Sequence, residues 1–208
     1  MIKENPKKSC CKTFFNIGFI GDGKYIHKTH KNIYNAWVDM LRKCYEPYYL
    51  NKYPSYIDCY VCEEWHNFQN FAKWYEENYY ECNGEKMCLD KDILIKGNKI
   101  YSSETCIFVP ERINMLFTKR QNCRGKYPIG VCYIKRNNKL QSACHIMKNK
   151  KKTCKFLGYF PLNKPFQAFY AYKIFKESYI KQVADEYKDS IPQKLYNALY
   201  KWEVEIND

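Results

Sequence analysis

The chain has no apolar run approaching the roughly 20 residues that a membrane-spanning helix needs, so no bilayer segment is expected. Its first residues, MIKENPKKSCCK, carry charge but lead into no apolar h-region, which argues against a secretory signal. Internal repeats and low-complexity tracts are also missing, which leaves one large domain or two small ones in 208 residues. One stretch lacks acid altogether: residues 121–160 hold ten Lys and Arg and no Asp or Glu.

What is present follows from those absences. Hydrophobic residues make up 46% and aromatics 18%, enough for a packed core and too much for wholesale disorder. The 21 Tyr dominate the aromatic share, and Tyr, Lys, Asn and Ile share A/T-rich codons, a genomic source for part of the bias. Twelve cysteines without an export signal are expected as thiols or metal ligands in a reducing cytoplasm, not as disulfides. The net charge of +13 is uneven: residues 1–120 hold 18 Lys and Arg against 15 acids, and 121–208 hold 17 against 7. A surface so polarised attracts a polyanion, because phosphate contacts supply most sequence-independent affinity for nucleic acid.

The pattern of apolar residues places the elements. FFNIGFIGDGKYIH alternates around Gly-Asp-Gly and predicts a hairpin turn. Ile33, Trp37, Met40, Leu41 and Cys44 recur at helical spacing, and EPYYLNKYPSY then breaks that helix with two prolines. A short strand, IDCYVC, leads into a helix carrying Trp65, Phe68, Ala72, Tyr75 and Tyr79 on its inner stripe, with Glu63 and Glu64 at its start. LDKDILIKGNKIYSSETCIFVPERIN then reads as strand, polar turn, strand and a helix begun at Pro110, with Ile113, Leu116 and Phe117 on its buried side. TKRQNCRGKYP has the composition of a linker, which sets the expected domains at 1–120 and 121–208. Beyond it, YPIGVCYI, KLQSACHIM and TCKFLGYF predict three antiparallel strands joined by basic turns. A helix from near Pro165 backs them through Ala168, Ala171, Tyr172, Phe175 and Tyr179, and a last helix covers QKLYNALYKW.

Three strands backed by one helix leave a sheet face open. Arg124, Lys126, Lys135, Arg136, Lys139, Lys150, Lys151, Lys152 and Lys155 are the expected phosphate contacts around it. The DNA major groove, about 12 Å wide, admits such a ribbon. In the first half, Asp90 and Asp92 flank a strand end and Asn114 lies on the following helix, an oxygen-donor set that suits a hard cation such as Mg²⁺. Cys59-x-x-Cys62 raises a structural zinc, for which Cys44, Cys88 or Cys106 would have to supply the remaining ligands; ordinary core cysteines are the competing reading.

Two resemblances rest on these segments. YPIGV, KLQSACHI, FLGYF and AFYAYKIF, over about 127–182, resemble the ethylene-response-factor (Apetala-type) DNA-binding domain, a three-stranded sheet plus helix whose sheet reads DNA. Ile129 replaces the arginine expected before Gly130 and Leu140 replaces a strand tryptophan, so the plant base preferences do not carry over. Phe156, Phe160 and Tyr172 are expected in the core. AWVDMLRKCY, VCEEWHNFQNFAKW, LDKDILIKGNKIY and ETCIFVPERIN resemble phage HNH-type endonucleases fused to such a domain.

That resemblance implies an α+β fold: an N-terminal helical region with a ββα-metal unit, then the three-stranded antiparallel sheet on one helix. It also implies Mg²⁺ or another divalent cation, hydrolysis of double-stranded DNA, no membrane association, and a host cell's cytoplasm as the location. By residue, Asp90 and Asp92 would flank the active position, Asn114 would be the helix ligand, and Lys91 stands where the family has a general-base histidine. Lysine holds its proton at neutral pH and is a poor base, although it can stabilise a phosphate as a cation. His66, the only histidine in the presumed nuclease core after the first helix, is the other catalytic possibility beside a surface or capping role. Two alternatives stay open: a DNA-binding regulator or anti-defence protein that has lost catalysis, and an RNA-binding module whose tyrosines stack on bases.

Overall fold

The computed structural model describes residues 13–118, 126–148, 151–206 and 208. It is mixed helix and sheet and divides into two compact units, Met1–Val109 and Pro110–Asp208. The expected boundary at 120/121 lies outside the described residues.

The first unit is built on aromatic helices. α1 (Lys31–Tyr45) buries Ile33, Trp37, Met40, Leu41 and Cys44, the full stripe read from spacing. It stops at Glu46, and Pro47 and Pro54 each open a new short helix, α2 (Pro47–Lys52) and a 3₁₀ turn (Pro54–Tyr56). β1 (Tyr60–Val61) leads through a second 3₁₀ turn (Glu63–His66) into α3 (Phe68–Asn78). The helix expected to run through Glu63 is thus restarted at Asn67, whose Oδ1 accepts from the Gln69 amide at 3.0 Å. The buried stripe is wider than expected, with Phe71 and Trp74 buried beside Phe68 and Ala72, and Tyr79, one residue past the end of α3, is exposed instead of inward.

The expected Gly-Asp-Gly hairpin does not form. The chain turns at Phe15 and Asn16, both at positive φ, and makes only isolated bridges from Phe14 to Gly18 and from Phe19 to Asn67. Gly18 lies where a Cβ would fall 2.4 Å from Leu41 and 2.8 Å from Trp37, so its role is close approach to α1. Trp37, Trp65, Phe68 and Phe71 are essentially sealed from solvent, and Trp37 Nε1 donates to the Trp65 carbonyl at 2.7 Å.

β2 (Met87–Asp90) pairs with β4 (Ile107–Pro110), whereas β3 (Ile100–Tyr101) pairs in parallel with β1. The segment expected as one second strand is therefore two short ones in different sheets. In the second unit, α4 (Glu111–Asn114) buries Ile113, and Arg112 reaches Glu186 at 2.6 Å with its guanidinium over the Tyr187 ring. Phe117 meets Trp202 at 4.3 Å between ring centroids. These contacts explain why the division falls before α4.

β5 (Val131–Ile134), β6 (Lys139–Lys148) and β7 (Lys151–Phe160) form the expected three-stranded antiparallel sheet, with β6 central. α5 (Pro165–Glu186) covers one face, burying Ala168, Phe169, Tyr172 and Tyr179, and α6 (Gln193–Tyr200) packs on α5. Gly130, at φ +77, lies where a Cβ would meet the Tyr172 ring at 2.1 Å, so only glycine fits the entry to β5. Between Ser142 and Ala143 the β6–β7 register shifts: Ser142 pairs with Gly158 and Ala143 with Phe156, leaving Leu157 as the extra residue of a bulge. Among the described residues no helix is long and apolar enough to cross a membrane.

Candidate active site and nucleic-acid interface

In the first unit, β2 delivers Asp90 at its last residue, and the chain then folds into a tight turn. Asp90 Oδ1 accepts from the amides of Asp92 (2.9 Å) and Ile93 (2.8 Å), an Asx-type arrangement. Burial pushes the Asp90 carboxyl up to about 6, and the Asp92 charge pushes the same way, against the two amides. The Asp92 side chain is about half exposed.

Lys91, between them, turns inward. It is 7% exposed, and its ammonium donates to Asp92 Oδ2 at 3.3 Å and to the Asn98 carbonyl at 3.1 Å, above the Tyr101 ring at 5.8 Å. Each contact offsets part of the desolvation of a buried ammonium. Asn98 closes the loop from the other side. Its Nδ2 donates to the carbonyls of Lys91 and Ile100, both at 2.7 Å, and its Oδ1 accepts from the Ile100 amide at 3.2 Å. Tyr56 belongs to the same neighbourhood, its phenol pushed up by burial and then by the charges of Tyr49, Asp92 and Asp90. Reading the sequence picked out neither Asn98 nor Tyr56; the Lys-Gly-Asn turn, with Gly97 at φ +80, was the available signal for Asn98.

The other expected groups lie on other elements. His66 lies in the 3₁₀ turn after β1 and its Nε2 donates to the Val61 carbonyl at 3.0 Å. Asn114 is the last residue of α4, in the second unit. Cys59 and Cys62 flank β1, Cys59 buried and Cys62 partly so. Burial raises both thiols, and those of Cys44 and Cys106 to about 12. Among the described residues no three His, Cys, Asp or Glu side chains gather at metal-binding spacing. A cation at Asp90 and Asp92 would therefore complete its shell with amide or carbonyl oxygen, water and phosphate, which is how Mg²⁺ is commonly held.

In the second unit the uncovered sheet face is the interface. Lys126, Lys135, Arg136, Lys139, Lys151, Lys152 and Lys155 are all exposed, while Arg124 and Lys150 lie outside the described residues. Register sorts the rest. Lys139 and Lys152 pair with Ile134 and Met147 on the face away from α5, Lys135 and Arg136 form the turn before β6, and Lys155 shares the α5 side with buried Cys144. Tyr172 is buried as expected and Phe160 is half-buried. Phe156 is not in the core. It is 51% exposed, beside Tyr159 at 47%, with ring centroids 4.9 Å apart.

Comparison with known protein families, characterised proteins and solved structures returns no match.

Proposed function

We propose that the chain is a DNA-binding endonuclease that holds duplex DNA on the β5–β7 sheet and hydrolyses a phosphodiester at the Asp90–Asp92 turn. The observation that carries this reading is the uncovered, acid-free face of the β5–β7 sheet, ringed by exposed Lys and Arg and backed by α5. The catalytic half rests on two carboxylates at and just after the end of β2, which pairs with β4 ahead of the short α4, while β3, between them in the chain, pairs with β1; an HNH-like ββα unit would use β2, β4 and α4.

A divalent cation would supply charge stabilisation to the pentavalent phosphate and the leaving oxygen. The residues do the rest. Lys91 fixes Asp92 in place, and Asn98 fixes Lys91. Asp90, with one oxygen tied to two amides, would hold the cation together with Asp92. Incubation of the protein with supercoiled plasmid and Mg²⁺ tests the proposal. Nicking that EDTA stops and Asp90→Ala abolishes supports it; an Asn114→Ala arm asks whether the helix amide contributes. Intact plasmid across several sequences and divalent ions defeats it.

A second reading has its own observation. The acids are spoken for inside the turn, Asp90 by backbone and Asp92 by a buried lysine, as in a structural loop. The chain would then be a DNA-binding regulator or anti-defence protein without cleavage. DNA binding with no nicking, unchanged by Asp90→Ala, selects this reading.

A further inference from the structure

We propose that the Phe156–Tyr159 pair is a stacking platform for an unpaired base, so that the sheet prefers DNA carrying an unstacked nucleotide over a fully paired duplex. This rests on the reading of the second unit as a DNA-binding module and specifies the form of DNA it takes.

Phe156 and Tyr159 pair across the ladder with Ala143 and Gln141, both on the face away from α5. The helix-side core uses other residues: Leu140 and Cys144 are buried, and Leu157 packs with Phe169 and Tyr172. The two rings are thus spare to the fold. Two large aromatics, each about half exposed and packed at a tilt of 59°, hold apolar area in water.

The surroundings name the occupant. Lys139 and Lys152 share the same face, Lys135 and Arg136 close one end of it, and residues 121–160 contain no carboxylate. A hydrophobic protein partner would gain little from such a rim, and a second copy of this chain would be repelled by it. Nucleic acid satisfies both features, because its phosphates meet the cations and its bases present π-faces to the rings. Bases inside an intact duplex are already stacked and show only their edges. A ring platform is therefore used only where a base has left the stack, as at a bulge, a flipped nucleotide or a single-stranded gap.

The test compares two short duplexes in EDTA, identical except that one carries a single unpaired 2-aminopurine. The whole protein is expected to bind the bulged duplex about tenfold tighter and to quench its fluorescence as the base stacks, since each stacked base contributes on that order. Phe156→Ala and Tyr159→Ala should each remove most of that preference and the quenching, leaving affinity for the paired duplex within about twofold. Lys139→Ala with Lys152→Ala should weaken both duplexes alike. Equal affinity for the two, unchanged by the ring substitutions, overturns the platform while leaving a basic duplex-binding unit. Binding of neither overturns the DNA-binding reading itself. Concentration-dependent self-association that Phe156→Ala abolishes also overturns the platform, making this face a contact between copies.

Discussion

The turn at Asp90 and the open sheet face spend their polar groups in opposite directions. In the turn, Asp90, Lys91, Asp92 and Asn98 satisfy one another and the local backbone, so the loop is built before anything binds. On the sheet, Lys139, Lys152, Phe156 and Tyr159 point outward and contribute little to the fold. A preorganised site suits chemistry, because nothing must reorganise as charge develops. An outward face suits recognition, because its cations and rings remain to be matched by a partner. Substitutions should therefore separate stability from binding between the two places.

The sharpest break in that contrast comes from Asn98→Ala. It removes three hydrogen bonds and strands the Lys91 and Ile100 backbone groups, a loss of about 3 kcal/mol of unfolding free energy in urea titration. A change below about 0.5 kcal/mol would show that the turn is not self-supporting.

Asp90→Asn follows. The folded carboxyl titrates near 6, above its unfolded value near 4. Its contribution is complete below about pH 4 and is lost as pH rises through 6, so the charged form weakens the fold at neutral pH. Asn keeps an oxygen for the two amides without the charge. It is expected to stabilise by about 2 kcal/mol at pH 7, an advantage that shrinks toward zero at pH 4 in thermal melts. If a divalent cation binds here, Mg²⁺ should raise the Tm of the native chain and leave that of Asp90→Asn unmoved.

On the sheet the effects move to binding. Engagement of about five phosphates gives a log–log salt slope of roughly −4 to −5, and Lys135→Ala with Arg136→Ala should flatten it by about 2. The smallest effect is on folding: Phe156→Ala should change stability by less than about 0.5 kcal/mol, since its ring is exposed. A larger loss would return Phe156 to the core.

The elements that spacing revealed are those where one period governs a whole segment. α1 and the inner residues of α5 follow the 3.6-residue repeat, and all five predicted α1 positions are buried. Short or interrupted elements defeated that logic. Asn67 restarts a helix within a continuous apolar pattern, and positive φ at Phe15 and Asn16 places a turn where two glycines nearby were the stronger signal. Asp90 and Asp92 stand out as a pair in the sequence, but Asn98 acts through main-chain groups, which leave no mark in residue identities. Phe156 was misread because alternation along β7 assumes an unbroken ladder.

That ladder carries one more implication. Were Leu157 paired with Ala143 in an unbroken ladder, alternation would set Phe156 opposite Cys144, under the helix, and the chain between it and Lys151 would exchange sides. Deleting Leu157 would only regularise the ladder and keep Phe156 opposite Ala143, whereas drawing Leu157 into the pairing would turn the outer array of this hairpin inside out with its chemical make-up untouched. What the surface offers to a ligand is in this sense a matter of counting: the inventory of side chains stays constant, and a single step in phase decides which of them is on display.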